Sequence, residues 1–278
     1  MDSKIKVAIV YDFDGTLSPH NMQEYSFIPE MGVTPAEFWA ESDALAQGQD
    51  GDSVLAYMSC MVRFAHQRGV KLTRENFRRW GSHIELYAGV EEWFSRVNEY
   101  GRERGIEIRH YINSSGVKEM IEGSSIAKEF HQIYACSFLY DHNNEAYWPG
   151  VAINYTNKTQ FIFKINKGIE TVHDNTRVNE YVEESMRPIP FRHIIFVGDG
   201  MTDIPCMRLV KNGGGYAIAV YDPSHDDVPE RMLPLVQHNR VNHVCKADYR
   251  AGEYMDRLLR HILDKIEVDH HLQKLEVK

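Results

Sequence analysis

Apolar and polar positions along this chain fall into blocks that change period. Residues 5–11 (IKVAIVY) form one continuous β-branched run, the pattern of a strand buried on both faces of a parallel sheet. The pattern returns at 106–113 (IEIRHYIN), 193–200 (HIIFVGDG), 216–221 (YAIAVY) and, more weakly, 243–249 (HVCKADY). Between these runs the apolar spacing is helical. GVEEWFSRVNEYGRERG begins at Gly89 and stops at Gly105, and a helix is expected over 117–129, after Ser114-Ser115-Gly116. Residues 158–186 read as mostly helical, 203–211 as a helix ended by Gly213-Gly214-Gly215, and EYMDRLLRHILDKI as a terminal helix. QIYACSFLYD and EAYWPGVAINY flank His142-Asn143-Asn144 as the arms of a small β-hairpin. Strands alternating with helices predict an α/β, doubly wound parallel sheet, with its chemistry outside the carboxyl ends of the strands.

Residues 18–88 break this alternation. Pro35 follows Thr34 as a helix-start pair, and AEFWAESDALAQ continues it. Asp52 caps SVLAYMSCMVRFAHQR, which Gly69 ends, and Thr73 opens another helix over RENFRRWGSHI. No strand pattern occurs here. The expected organisation is a core domain of 1–17 and 89–278 interrupted by a helical domain at 18–88.

Composition narrows the function classes. The 278 residues allow one or two domains, and 43% apolar with 26% charged residues argues against a disordered chain. A net charge of −9 argues against a nucleic-acid polymer as partner. A small phosphorylated metabolite stays open, because a local pocket or a metal reverses the field. Cys60, Cys136, Cys206 and Cys245 are widely spaced and form no CxxC, as in a reduced cytosolic protein. No signal-peptide cleavage pattern and no run of about 20 apolar residues is visible, so the expectation is a cytoplasmic protein without a membrane partner. The oligomeric state stays open.

Three expected strands end in residues suited to chemistry. Asp12 and Asp14 lie two apart, so their carboxylates point the same way beyond the first strand, and Gly15 lets the chain turn away. Two close carboxylates bind a cation or divide into one ionised and one protonated group, and either suits a hydrolase. The plainer alternative is a surface turn. Asp199 and Asp203 in GDGMTD offer hard oxygen ligands of the kind Mg²⁺ prefers, although Asp203 also suits a helix cap. Ser114 offers a hydroxyl for a phosphate oxygen, or simply a cap. A lysine between the second and third pieces would offset the charge of a transferring phosphoryl group. Lys167 in INKG is the first choice and Lys158 in TNKT the second; a solvated lysine is the ordinary alternative.

The ordered series DFDGT, SSG, a lysine and GDGxxD resembles the haloacid dehalogenase superfamily, and within it the phosphatases. The resemblance covers about 5–17 and 89–222. It implies a Rossmann-like core, while 18–88 is similar to the superfamily's first class of helical cap and the hairpin at 132–153 to that of its phosphoserine-phosphatase-like members. It further implies that Asp12 is the nucleophile, forming an aspartyl-phosphate, and Asp14 the general acid/base. Asp12, the Asp14 carbonyl, Asp199 and Asp203 would hold Mg²⁺, with Ser114 and Lys167 on the phosphate. Glu24, Tyr25 and Arg63 are candidates to read the leaving group, Arg63 equally suiting a solvated helix face. The expected activity is Mg²⁺-dependent hydrolysis of a small phosphomonoester. The alternatives are a phosphotransferase of the same superfamily and a non-catalytic phospho-ligand-binding scaffold.

Overall fold

The computed structural model describes residues 4–276. The buried run of strand β1 (Ile5–Tyr11) leads into the helices of the insert. These are α1 (Met22–Tyr25), α2 (Phe27–Glu30), α3 (Pro35–Gly48), α4 (Ser53–Arg68) and α5 (Arg74–Gly81). Then come α6 (Val90–Glu103), β2 (Ile106–Val117), α7 (Lys118–Gly123), β3 (Phe130–Tyr140), β4 (Ala146–Val151), α8 (Lys158–Lys167) and α9 (Thr176–Asn179). The chain closes with β5 (Ile194–Gly198), α10 (Ile204–Asn212), β6 (Tyr216–Tyr221), α11 (Leu233–Gln237), β7 (His243–Lys246) and α12 (Tyr254–Glu276). No described helix is long and apolar enough to cross a membrane.

The seven strands form one sheet in the order β4-β3-β2-β1-β5-β6-β7. All neighbours pair in parallel except β3 and β4. From β1 the chain first builds outward through β2, β3 and β4, then returns to lay β5 on β1's other side. The order reverses at the β1/β5 boundary, where an open α/β sheet leaves a crevice beyond its strand ends. The doubly wound expectation holds. The hairpin is not a separate ribbon: β3 pairs with β2 along its first half and with β4 along its second.

Two boundaries differ from the sequence reading. The expected helix over 117–129 shrinks to α7, because β2 continues to Val117 and the chain turns at Ser124. The helix begun at Lys158 stops at Lys167, where Gly168 turns left-handed with φ 66°. Beyond it the acidic, polar segment lacks an apolar face, and only the four-residue α9 and a single 3-10 turn at Glu184–Met186 form there.

Local chemistry explains the insert's helices. Thr34 and Glu37 make a reciprocal capping box at α3, and Asp52 Oδ1 accepts the Val54 and Leu55 N–H groups at α4. Phe27 and Phe77 meet the buried Trp80 edge-to-face, with ring centroids 5.1 and 5.5 Å away. Trp80 Nε1 donates to Glu30 Oε2 at 2.7 Å. The insert is also tied to the rest of the chain away from its two roots. At Gly81 a side chain would run into the Met120 backbone, and at Gly123 into that of Arg78, so α5 and α7 cross backbone to backbone. Ala146 N–H donates to the Leu72 carbonyl at 2.8 Å. Tyr57 O–H donates to the Ser115 carbonyl at 2.6 Å.

Candidate active site

Asp12 leaves the end of β1 at the reversal of strand order. Its N–H donates to the Val197 carbonyl of β5 at 2.9 Å, which fixes it between the two central strands. Its Oδ1 accepts the Phe13 N–H at 2.8 Å, and its Oδ2 lies 3.2 Å from Lys158 Nζ. Asp14 sits beside it, with Oδ1 accepting the Met22 N–H of α1 at 2.9 Å. Gly15 between them and the insert has φ 73°, and a Cβ there would overlap the Asp199 carboxylate. Only glycine combines that backbone with that approach.

From β5, Asp199 and Asp203 complete the acidic floor. One carboxylate oxygen each from Asp12, Asp199 and Asp203 lie within 4.8 Å of one another. Asp14 adds no side-chain oxygen to this group; its expected ligand atom is the backbone carbonyl. Lys158 is wholly buried behind the floor, its Nζ donating to Asp203 Oδ1 at 2.7 Å. Burial opposes its charge, but Asp12 and Asp203 more than reverse this and hold the ammonium above the usual lysine range.

Crowding governs the carboxyls. Burial, then the charge of Asp12, pushes Asp14 well above the usual carboxylate range. Burial, then Asp203 and Asp12, pushes Asp199 up to about 8. Burial and Asp12 also raise Asp203, against the pull of Lys158. These are the conditions a hard divalent cation relieves. Three converging carboxylate oxygens are a donor set that fits Mg²⁺.

Ser114 is buried, and its Oγ accepts the Gly116 N–H at 3.0 Å. It lies in β2 at a register shift against β3, four residues before α7 begins, not at a helix cap. Lys167 corrects the sequence reading. Its Nζ donates to the Val178 and Glu180 carbonyls at 2.5 and 2.6 Å, where it ties down the polar segment after α8. Lys158, the second choice, is the lysine on the acidic floor. Arg63 pairs with Glu41 at 2.6 Å and lines an apolar groove beside Trp148, away from the floor. Tyr25 shares a hydrogen bond with Ser18 at 2.9 Å.

Above the floor opens a cavity of about 450 Å³, walled by the insert on one side and by Ser114–Gly116 and Thr202 on the other. His20, Asn21 and Thr202 line it and were not singled out in the sequence. They flank motif residues, but nothing in their own spacing marks them.

The family model of the haloacid dehalogenase-like hydrolases matches residues 9–208. An uncharacterized protein of Borreliella burgdorferi is 27% identical, over 94% of this chain and 96% of its own. Among solved structures, a substrate-bound phosphoserine phosphatase complex aligns with TM-score 0.55 at 16% identity, over 94% of this chain and 99% of that one. A HAD-family hydrolase from Salmonella enterica serovar Typhi aligns with TM-score 0.54 at 16% identity, over 92% of this chain and 70% of that one.

Proposed function

The chain belongs to the haloacid dehalogenase-like hydrolases, and on that premise we propose that it is a Mg²⁺-dependent phosphatase of small phosphorylated metabolites, working through an aspartyl-phosphate on Asp12. The observation that carries this reading is the pairing of two unlike carboxyls at the β1 end. Asp12 pairs with the Lys158 ammonium at 3.2 Å, while burial pushes Asp14 next to it toward its protonated form.

On this reading the Asp12 carboxylate attacks phosphorus. The bond from phosphorus to the leaving oxygen breaks as Asp14 gives that oxygen its proton. Asp14, now a base, takes a proton from the water that attacks the phosphorus of the aspartyl-phosphate. Phosphate leaves, Asp12 is regenerated and Asp14 is again protonated. Lys158 stays charged throughout and offsets the approach of one anion to another. Ser114 holds a phosphoryl oxygen. Asp12, Asp199, Asp203 and the Asp14 carbonyl would hold Mg²⁺, whose chemistry is to neutralise charge on the phosphoryl oxygens. Residues 18–88 act as a cap covering the cavity, with 1–17 and 89–278 as the core. The four free, buried cysteines support a reducing compartment such as the cytoplasm.

The test is phosphate release from a panel of small phosphomonoesters after chelation, with and without added Mg²⁺. Activity is expected to vanish on chelation and return with Mg²⁺. Asp12→Asn should abolish turnover while keeping the wild-type circular dichroism, and Asp14→Asn should slow both half-reactions in single-turnover assays. Near-wild-type turnover by Asp12→Asn removes it as nucleophile.

A further inference from the structure

We infer that the alcohol part of the substrate carries a positive charge and no carboxylate, making the substrate a phosphorylated amino alcohol whose ammonium rests on Glu24. This deepens, and rests on, the hydrolase reading above.

The argument starts from charge. On the floor, three carboxylates face a divalent cation and Lys158, so that corner is close to neutral once loaded. The phosphoryl group then brings its own negative charge. Two further carboxyls stay in the lining: Asp14, which burial pushes toward its neutral form, and Glu24, on α1. Glu24 Oε1 accepts Trp39 Nε1 and Asn21 Nδ2, each at 2.7 Å. Both donors are neutral. They fix the direction of the carboxylate and bring no compensating charge. Glu24 Oε2 has no hydrogen-bond partner, and Glu24 no ion pair, among the described residues. A half-buried carboxylate, rigidly held and uncompensated at the wall of a substrate cavity, is a receptor for a cation.

What the cavity lacks matters equally. Among the described residues no lysine or arginine lines it. Lys158 is sealed behind Asp12, and Arg63 is spent on Glu41. Arg231 reaches Asp199 Oδ2 at 3.9 Å from outside the lining and is exposed. Among the described residues His20 is the one histidine in the lining. A substrate carboxylate would therefore add a negative charge beside Glu24 and the phosphoryl group with no guanidinium or ammonium to meet it. Likeness to phosphoserine phosphatases makes phosphoserine the first substrate to try; the lining predicts that it is a poor one.

The experiment compares kcat/KM for O-phosphoethanolamine, phenyl phosphate and O-phosphoserine, which share one phosphoryl group on a cationic, a neutral and a carboxylate-bearing alcohol. Phosphoethanolamine should exceed phosphoserine by about 10- to 100-fold, the range of a charge-assisted contact. Glu24→Gln should cut phosphoethanolamine by a similar factor, mainly through KM, and at least tenfold more than it cuts phenyl phosphate. Equal losses for all three, or a shifted pH profile with unchanged ranking, would make Glu24 a group that tunes Asp14, and the inference falls. It falls equally if phosphoserine is the best substrate, and doubly so if Arg231→Gln then removes that preference. Calorimetry with 2-aminoethylphosphonate separates this from the hydrolase reading, since binding needs no turnover. Binding that is lost in Glu24→Gln, with no hydrolysis of any ester, keeps the cation subsite and sinks the phosphatase. No binding together with ready hydrolysis of phenyl phosphate does the reverse.

Discussion

Lys158→Met deletes an ammonium and keeps most of its apolar stem. The ammonium lies fully buried, 3.2 Å from Asp12 Oδ2 and 2.7 Å from Asp203 Oδ1. At an effective dielectric of about 20, those separations correspond to about 5 and about 6 kcal/mol of attraction. Desolvating three ions costs several kcal/mol each, so most of that attraction is offset in the intact protein. Removing one partner leaves the cost without the gain, and the expected loss is about 3–5 kcal/mol of stability. Lys167→Met instead loses two bonds to carbonyls at the edge of a polar segment, worth about 0.5–1.5 kcal/mol each. The assays are urea unfolding followed by circular dichroism and Mg²⁺-supported phosphate release, corrected for the folded fraction. Lys158→Met should lose about 10²–10³ in kcat/KM, as when a preorganised charge is removed from a transition state. Lys167→Met should stay within about threefold. Adding Asp203→Asn to Lys158→Met should recover part of the stability, because a buried carboxylate goes with its partner, and none of the activity. A Lys158→Met protein of wild-type stability and turnover would refute the reasoning, as would a larger activity loss in Lys167→Met.

Two further predictions concern stability. His110 is buried between Tyr11, whose O–H faces its Nδ1 at 3.1 Å, and Asn98, whose Oδ1 faces its Nε2 at 3.1 Å; Trp93 Nε1 donates to the same Tyr11 oxygen. Burial lowers the imidazole to about 3, so the unfolded chain binds this proton first as the pH drops. Its contribution is therefore intact above about pH 6.5 and is lost toward pH 3 at about 1.4 kcal/mol per pH unit. His110→Gln, which offers the same acceptor and donor without titrating, should flatten the acid limb of unfolding free energy against pH; an unchanged limb assigns it to other groups. Gly81→Ala should destabilise by more than about 2 kcal/mol, since its Cβ meets the Met120 backbone, whereas Gly48→Ala at the end of α3 has open space and should be neutral or stabilising by up to about 1 kcal/mol. Equal thermal midpoints for the two variants would contradict the described crossing.

The strands of the sheet were legible because burial on both faces writes itself as unbroken apolar runs, and Asp12, Asp14, Asp199 and Asp203 were legible because a motif sits where such a run stops. The lysine was misjudged for a geometric reason. Lys158 shares a helix face with Phe161, Ile162 and Ile165, all buried. A lysine at that phase of an apolar stripe is carried inward. Lys167, nine residues on at about 100° each, comes out on the opposite side of α8. The helical period held that distinction. Of the cavity walls, Glu24 and Ser114 were singled out beside the motifs, but His20 and Thr202 were not. These two come from loops that meet only because β1 and β5 are neighbours, a fact of strand order that no local window contains. α7 ends short of the expected 129 where Ser124 turns extended and its hydroxyl donates to the Ile121 carbonyl at 2.7 Å.

The backbone crossing of α5 and α7 has a mechanical meaning. An inserted segment joined to its host at two roots can swing about the line between them, like a door on two hinges. This one is also pinned at Gly81 against Met120, at Leu72 against Ala146 and at Tyr57 against Ser115. A rigid object fastened at points off its axis has no axis left. A swing would have to break all three attachments together, so ligands are expected to exchange through the open mouth of the cavity with the insert still seated.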